Sequence, residues 1–340
     1  LVNKSFTVFG FEIAYYGVIM ALSMVCGALM AYHEAKRTGQ KVDDYIDYTL
    51  FGIVGGIICA RLYYVIFEWD YYSKNLTQIF NLRGGGLAIY GGIIGAVVVA
   101  VIFCKVKKMK FFKFTDTAVL GLITGQIIGR WGNFFNREAF GSYTDSLFAM
   151  QIPVADIGTN VDVTDAMKVM INGVEYVQVQ PTFLYESVLN LVLLILLLIF
   201  RDKKKFYGET FCRYLMGYGV IRFIVEGFRT DQLKIGSVAV SQILSAVLFV
   251  AALAIVIVMR MRLKGKPSQL DPIPVKKSKR SAVDIDDEAE VEEQAEEEAM
   301  EEVSSDIDDD MEETSAQDST EEDTAVEEPE EDEGSDDSEE

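Results

Sequence analysis

Residues 129–141 read Gly-Arg-Trp-Gly-Asn-Phe-Phe-Asn-Arg-Glu-Ala-Phe-Gly. They follow an apolar run at 118–128 with the character of a membrane helix, so Arg130, Asn133, Asn136 and Glu138 fall at or just inside a membrane edge. An arginine left in hydrocarbon costs at least about 2.5–3.5 kcal/mol, so a polar group at this depth is paired or functional. If the helix continues, Arg130 and Asn133 are neighbours on one face, while Gly129, Gly132 and Gly141 permit close backbone approach. The stretch predicts a polar pocket walled by membrane helices. The plainer alternative is an arginine anchoring a helix end at the interface, with two amides capping a turn.

Charge divides the chain in two. Residues 281–340 hold 32 of the 52 acidic residues and no Lys or Arg, which leaves 20 acidic against 31 basic residues in 1–280. The formal charge of −21 therefore belongs to the tail, and the preceding part is basic and strongly apolar although the mean hydropathy of the whole is only +0.19. Few aromatics and a dense acidic run cannot bury enough apolar surface to offset ordering entropy. Residues 266–340 are accordingly expected to be a disordered acidic cytoplasmic tail, and 1–265 a membrane domain.

A helix crossing the ~30 Å hydrocarbon layer needs about 20 mostly apolar residues. Runs at 14–32, 46–67, 87–104, 115–131, 182–200, 211–228 and 238–259 qualify, which predicts an all-α integral membrane protein with seven transmembrane helices. The fourth and sixth runs are the least hydrophobic and carry the polar motifs, as expected of helices that line a site. Basic clusters follow the first, third, fifth and seventh runs: Lys36, Arg37 and Lys41; Lys105, Lys107, Lys108, Lys110 and Lys113; Arg201 and Lys203 to Lys205; Arg260, Arg262, Lys264 and Lys266. All fall on one side, which the positive-inside rule makes cytoplasmic, with the N-terminus outside and the tail inside. Reading the first run as a signal peptide is disfavoured, because its basic flank is C-terminal and no small-residue cleavage pattern is evident. The four cysteines, Cys26, Cys59, Cys104 and Cys212, lie in or at the ends of these runs and imply core packing rather than disulfides.

Several further polar groups stand out. Tyr15-Tyr16-Gly17 sits near the outer end of the first run, where aromatics form interfacial belts. Gly52 and Gly56 are four apart, the small-residue spacing of close helix contacts, and Arg61 is an intramembrane cation within snorkelling reach of the outer end. The glycine-rich stretch 84–95 has no preceding strand and no Lys-Ser/Thr after it, so it is not a phosphate-binding nucleotide loop. The external segment 132–181 is polar enough for a small head, and Asn172-Gly173 between Val169-Met170-Ile171 and Val174-Glu175-Tyr176-Val177 predicts a hairpin with a type I′ turn. Pro181 suits a helix start, with Glu186 favoured near that positive end. Arg222, Glu226 and Arg229 are four and then three apart and can form a ladder on one helix face.

These residues together resemble the prolipoprotein diacylglyceryl transferases. The family pattern Gly-Arg-x-Gly-Asn-Phe-x-Asn-x-Glu-x-x-Gly coincides with 129–141, and Tyr-Gly-x-x-Arg-x-x-x-Glu-x-x-Arg coincides with 218–229. Between them the chain keeps Pro181, Thr182, Leu184, Tyr185 and Glu186 of the family's His-Pro-Thr/Ser-Gln-Leu-Tyr-Glu, with Gln180 and Phe183 as departures; Ser241 and Gln242 are weaker matches. Where the family commonly has a catalytically important His before a Gly-Gly pair, this chain has Tyr90. Its single histidine, His33, lies at the basic end of the first run.

The resemblance implies transfer of the sn-1,2-diacylglyceryl group from phosphatidylglycerol to the lipobox cysteine of a prolipoprotein signal peptide. It releases sn-glycerol 1-phosphate, as the first step of bacterial lipoprotein maturation, in the cytoplasmic membrane with the site toward the outer face. The implied partners are phosphatidylglycerol, the prolipoprotein and the bilayer, not nucleic acid, and no cofactor or metal is implied. Arginine forks hold phosphate in bidentate fashion and stay charged, so Arg130 and Arg222 are expected to clamp the phosphate and stabilise the leaving group, with Arg229 nearer the rim. Asn133 and Asn136 would orient the headgroup, Glu138 and Glu226 would hold the arginines or accept protons, Tyr16 would belong to the site, and Arg61 would pair helices or touch lipid. Tyr90 would be catalytic: a phenol near its ordinary pKa of ~10 is no base at neutral pH, so either arginine neighbours lower it or Tyr90 only positions substrate.

Other classes fare worse. A transporter needs a polar path to the inner side, whereas 97–103 is apolar. An intramembrane zinc protease needs His-Glu-x-x-His, and His33-Glu34 lacks the second His. A non-catalytic lipid-binding scaffold is separated from an enzyme only by a transfer assay.

Overall fold

The computed structural model describes residues 4–82, 85–157, 163–230, 232, 234–236, 238–266 and 270–272. The expected acidic tail lies outside the described residues except at 266 and 270–272, as does Gly84 of the glycine-rich stretch. The helices are α1 (Tyr15–Arg37), α2 (Val42–Phe67), a single turn α3 (Trp69–Tyr72), α4 (Ile89–Val106), α5 (Phe111–Asn136), α6 (Thr182–Phe200), α7 (Glu209–Glu226) and α8 (Val240–Arg262). Six of these, α1, α2, α4, α5, α6 and α8, are long and apolar enough to cross a membrane. The sixth expected span forms as the 18-residue α7, but it falls short of a spanning composition because it carries Glu209, Arg213, Arg222 and Glu226.

Lipid-type solvation explains the outward-facing residues. On α2, Leu50, Val54, Ile58, Leu62 and Ile66 recur every four residues and are 50–67% exposed, a stripe that water would not tolerate on a stable helix. Without a hydrophobic drive between helices in lipid, small residues must supply the packing. A Cβ on Gly27 of α1 would lie 2.7 Å from the Gly121 carbonyl oxygen of α5, so these backbones touch directly. Close contact of α2 is made with α4 and uses Gly55 and Gly56: a Cβ on Gly95 would meet the Gly55 carbonyl oxygen at 2.8 Å, and one on Gly56 would meet that of Gly92 at 3.6 Å, whereas Gly52, the other half of the expected pair, is nearest the Tyr48 ring of its own helix.

Helix α5 is the hub. Its Val119, Leu120 and Ile123 pack in one buried cluster with Leu193, Leu194 and Leu197 of α6 and with Tyr214, Ile221 and Val225 of α7. At the start of α5 the basic loops converge. Arg37 and Arg201 share Glu34, each at 2.8 Å or closer; Lys204 meets Asp116 at 3.1 Å; Arg213 and Arg260 share Glu209 at 2.6 and 2.5 Å; Lys107 reaches Asp44 at 3.2 Å. The basic ends of α1, α4, α6 and α8 therefore gather at one end of the bundle. All four cysteines are free, with Cys104 and Cys212 buried.

Three small sheets complete the described fold. Strands β1 (Ser5–Val8) and β2 (Phe11–Ala14) pair antiparallel before α1, and the two-residue strands β6 (Lys234–Ile235) and β7 (Val238–Ala239) pair before α8. Between α5 and α6, strands β3 (Met150–Pro153), β4 (Lys168–Ile171) and β5 (Val174–Val179) form a sheet of order β3-β5-β4. The expected hairpin is present, with Ile171 opposite Val174, and both turn residues are left-handed, Asn172 at φ 52° and Gly173 at φ 78°. Phe140, Met150, Ile152, Met167, Val177, Val179 and Phe183 form its core.

Candidate active site

The signature stretch continues α5 to Asn136, so Arg130 and Asn133 do share a helix face as the spacing predicts. The helix then stops sharply. Arg137 adopts a left-handed conformation (φ 58°, ψ 46°), and the Glu138 amide donates back to the Asn133 carbonyl at 3.2 Å. Reversing the chain there brings the Glu138 side chain over the helix end, where its Oε1 accepts from Asn133 Nδ2 at 2.8 Å. Ala139 is also left-handed at φ 57°, a conformation that costs a residue with a Cβ about 1 kcal/mol or more. It is held by bonds to the start of α6: Thr182 Oγ1 donates to the Ala139 carbonyl, the Gly141 amide to that of Gln180 at 3.0 Å, and the Gln180 amide to that of Ser142 at 2.9 Å. Gly141 is required at this crossing, since a Cβ would lie 2.8 Å from the Phe228 carbonyl oxygen.

This stapling sets Glu186, one turn into α6, beside the arginines. Arg130 Nη2 lies 2.7 Å from Glu186 Oε1, and Arg222 Nη1 lies 3.2 Å from Glu186 Oε2. A second carboxylate, Glu226, approaches Arg222 Nη2 at 2.5 Å, which is the first rung of the expected ladder. The Tyr218 hydroxyl donates to Glu186 Oε1 at 3.2 Å. Glu186 is 2% and Glu226 4% exposed, so these ionic contacts are desolvated and each acid depends on its arginines. Helix α1 closes the pocket: the Tyr16 ring lies against Gly132, where a Cβ would be 3.0 Å away, and its hydroxyl sits in the field of Glu138 and Arg130.

The structure thus brings together Arg130, Asn133, Glu138, Tyr16, Arg222 and Glu226. Other expected residues sit apart from this group. Asn136 is exposed at the last turn of α5. Arg229 follows α7, where its backbone bridges to Gly141. Arg61 is buried and its guanidinium donates to the carbonyls of Gln78, Ile79, Asn81, Gly85 and Gly86 at 2.5–3.1 Å, so it organises the loop before α4. Tyr90 is the second residue of α4 and half-buried, and among the described residues no hydrogen bond joins it to the arginines. Two members escaped the expected site: Glu186, read from sequence only as an acid favoured near a helix start, and Tyr218. Only Tyr218 carried a signal, its i, i+4, i+8 spacing with Arg222 and Glu226 on α7.

Chemically, two fixed cations from separate helices converge on one buried carboxylate. Each guanidinium has five N–H donors in a planar fork, more than these acids engage, so the pair can take up a bidentate oxyanion. No group of three or more His, Cys, Asp or Glu able to hold a metal occurs among the described residues.

Comparison with known proteins gives a consistent picture. A family model described as prolipoprotein diacylglyceryl transferase matches residues 3–258. A protein of Clostridioides difficile (strain 630) named phosphatidylglycerol–prolipoprotein diacylglyceryl transferase is 43% identical over 243 residues, covering 72% of this chain and 89% of its own length. Proteins of the same name from Finegoldia magna and Bacillus cytotoxicus are each 42% identical, over 248 and 250 residues, covering 73% and 74% of this chain and 91% and 89% of theirs.

Proposed function

The chain belongs to the prolipoprotein diacylglyceryl transferase family and is a membrane enzyme of the transferase class, and from that premise we propose that it moves the sn-1,2-diacylglyceryl group of phosphatidylglycerol onto the lipobox cysteine of a prolipoprotein. The observation that carries this reading is the convergence of Arg130 and Arg222 on Glu186 at 2.7 and 3.2 Å. Before substrate binds, Glu186 and Glu226 neutralise the guanidiniums and hold them at a fixed separation. The lipid phosphate then adds to the free edges of the two forks.

In the reaction the cysteine sulfur attacks the glycerol carbon that bears the phosphate. A sulfur–carbon bond forms, the carbon–oxygen bond to phosphate breaks, and its electron pair leaves with sn-glycerol 1-phosphate. Arg130 and Arg222 stabilise the charge that grows on that oxygen, in a site whose low dielectric strengthens the effect. The thiol proton needs an acceptor, and Glu138 is the carboxylate best suited, because it is half-buried and held by Asn133 rather than by an arginine among the described residues. Asn133 positions Glu138 and the headgroup, Tyr16 closes the pocket, Asn136 and Arg229 form its rim, and Tyr90 acts as a hydrogen-bonding positioner.

We read α7 as a seventh span, since Glu209 and Glu226 are buried against partners rather than facing lipid. The gathered basic ends support an orientation with the start of α5 in the cytoplasm, the N-terminus and the 132–181 head outside, and the site near the outer face. Residues 266–340 form the acidic cytoplasmic tail. The test is incubation of purified protein with phosphatidylglycerol and a lipobox peptide. A diacylglyceryl mass increase on the peptide cysteine is expected, and its absence with folded protein would refute the assignment.

A further inference from the structure

A second cluster of cations lies about 25 Å from Arg130 along α5, the length of the 17 residues that separate it from Lys113. Lys110 caps the start of α5 and Lys113 lies in its first turn, while Lys204 and Tyr207 come from the link between α6 and α7. Three ammonium groups crowd one aromatic ring: the Nζ atoms of Lys110, Lys113 and Lys204 lie 5.3, 5.8 and 5.8 Å from the centre of Tyr207. Lys113, Lys204 and Tyr207, with Arg37, Arg201 and Asp202, border a cavity of about 50 Å³, several times the space one water needs.

The other cations here belong to buried acids of the bundle: Arg37 and Arg201 to Glu34, Lys204 to Asp116. Lys110 and Lys113 differ, because both pair with Asp271, at 3.2 and 2.8 Å, a residue near the far end of the described chain. The Asp271 amide also donates to the Tyr207 hydroxyl at 2.7 Å. Hydrogen bonds from Lys113 first, then Tyr207 and Lys110, hold the Asp271 carboxyl below the usual carboxylate range. Yet Asp271 is 46% exposed and sits on a short segment after α8, so it can be exchanged for another anion. Without it the site has two uncompensated ammonium groups at the positive end of a 26-residue helix.

We propose that Lys110, Lys113, Lys204 and Tyr207 form a binding site for the phosphate of an anionic phospholipid, with Asp271 as a tethered competitor. A lipid rather than a soluble phosphate fits, because the site is built from the ends of α1, α5 and α6, all of membrane-spanning character, and is flanked by Phe112 and Phe200, 58% and 41% exposed, at the level where aromatics meet headgroups. The site is independent of the transfer reaction and would hold if that reading failed.

Native mass spectrometry of the full-length protein, titrated with dioleoyl phosphatidic acid and in parallel with dioleoyl phosphatidylcholine, tests it. The wild type should retain one phosphatidic acid that the Lys110→Gln/Lys113→Gln variant binds about tenfold more weakly, while Asp271→Asn should bind it roughly fivefold more tightly because the internal anion is gone. Equal retention of phosphatidylcholine, or wild-type affinity in the double lysine variant, would overturn the site. An Asp271→Asn variant with unchanged affinity would overturn the competitor role. Inorganic phosphate that displaces the lipid at equal concentration would overturn the lipid assignment.

Discussion

Both ends of the bundle bury carboxylates, but they treat them differently. At the basic end Asp116 accepts the amides of Gly208 and Phe211 at 3.0 Å each and the ammonium of Lys204 at 3.1 Å, and Glu209 accepts the Lys205 amide at 2.6 Å together with Arg213 and Arg260. Backbone donors fix these acids in place, and their cations come from the α6–α7 link, α7 and α8. At the other end Glu186 meets Tyr218 and two arginines, all of them side chains. Backbone amides make a carboxylate a permanent joint, whereas side-chain cations of greater donor capacity than their acids leave room for a further anion. The first cluster locks helix ends and the second has donors to spare for the substrate phosphate proposed above.

The strongest way to break this contrast is to change the arginine forks. Arg130→Lys and Arg222→Lys keep the charge but lose the bidentate geometry, and each should lower transfer activity about 10²–10³-fold while thermal unfolding of the purified protein stays near wild type. Full activity in both variants would remove the phosphate clamp. The matching change at the basic end has the opposite signature. Asp116→Asn should destabilise the bundle by about 3 kcal/mol, because it leaves Lys204 without its countercharge and weakens two amide bonds, yet turnover per folded molecule should not change. A variant with normal stability and poor turnover would show that the two ends are not functionally separate.

Glu138 sharpens the comparison within the site, since among the described residues it is held by an amide rather than by an arginine. Glu138→Gln keeps the shape and the Asn133 contact but cannot take a proton. We expect roughly a tenfold loss, less than a lone general base contributes because a phosphate oxygen can share the task. Full activity in Glu138→Gln would assign the proton to another group.

What could be read in the sequence follows the range of the interactions involved. Long apolar runs, the Arg222–Glu226 rung and the Asn172-Gly173 turn are local, and each appears where its spacing places it. Glu186 lies 56 positions from Arg130 and 36 from Arg222, so nothing local shows that one carboxylate bridges both. The fact is created by the left-handed turn at Arg137 and Ala139 and the staple to α6. Arg61 failed for another reason. Its partners are backbone carbonyls of a loop, which every residue possesses, so no side-chain pattern marks them. Composition alone also leaves α7 short of a spanning helix, because its apolar residues are diluted by four charges.

Tyr90 tests the comparison most gently, because it asks whether the site's chemistry extends beyond the arginine–carboxylate group. It stands where relatives by resemblance carry a histidine, and a phenol could replace that group either as a hydrogen-bonding positioner or as the proton acceptor. Acceptance near neutral pH requires close, uncompensated cations to bring a phenol down by about three units from ~10. Here the arginines are occupied by Glu186 and Glu226, and Tyr90 has no hydrogen bond to them among the described residues. The positioner reading therefore wins, and Tyr90→Phe should keep activity within about threefold, the loss of one neutral hydrogen bond, with Tyr90→His tolerated. The check is the pH–rate profile of the three proteins with one lipobox peptide. A dead Phe variant, together with a wild-type alkaline limb that Tyr90→His lacks, would make the phenol the acceptor and return Glu138 to a purely structural role.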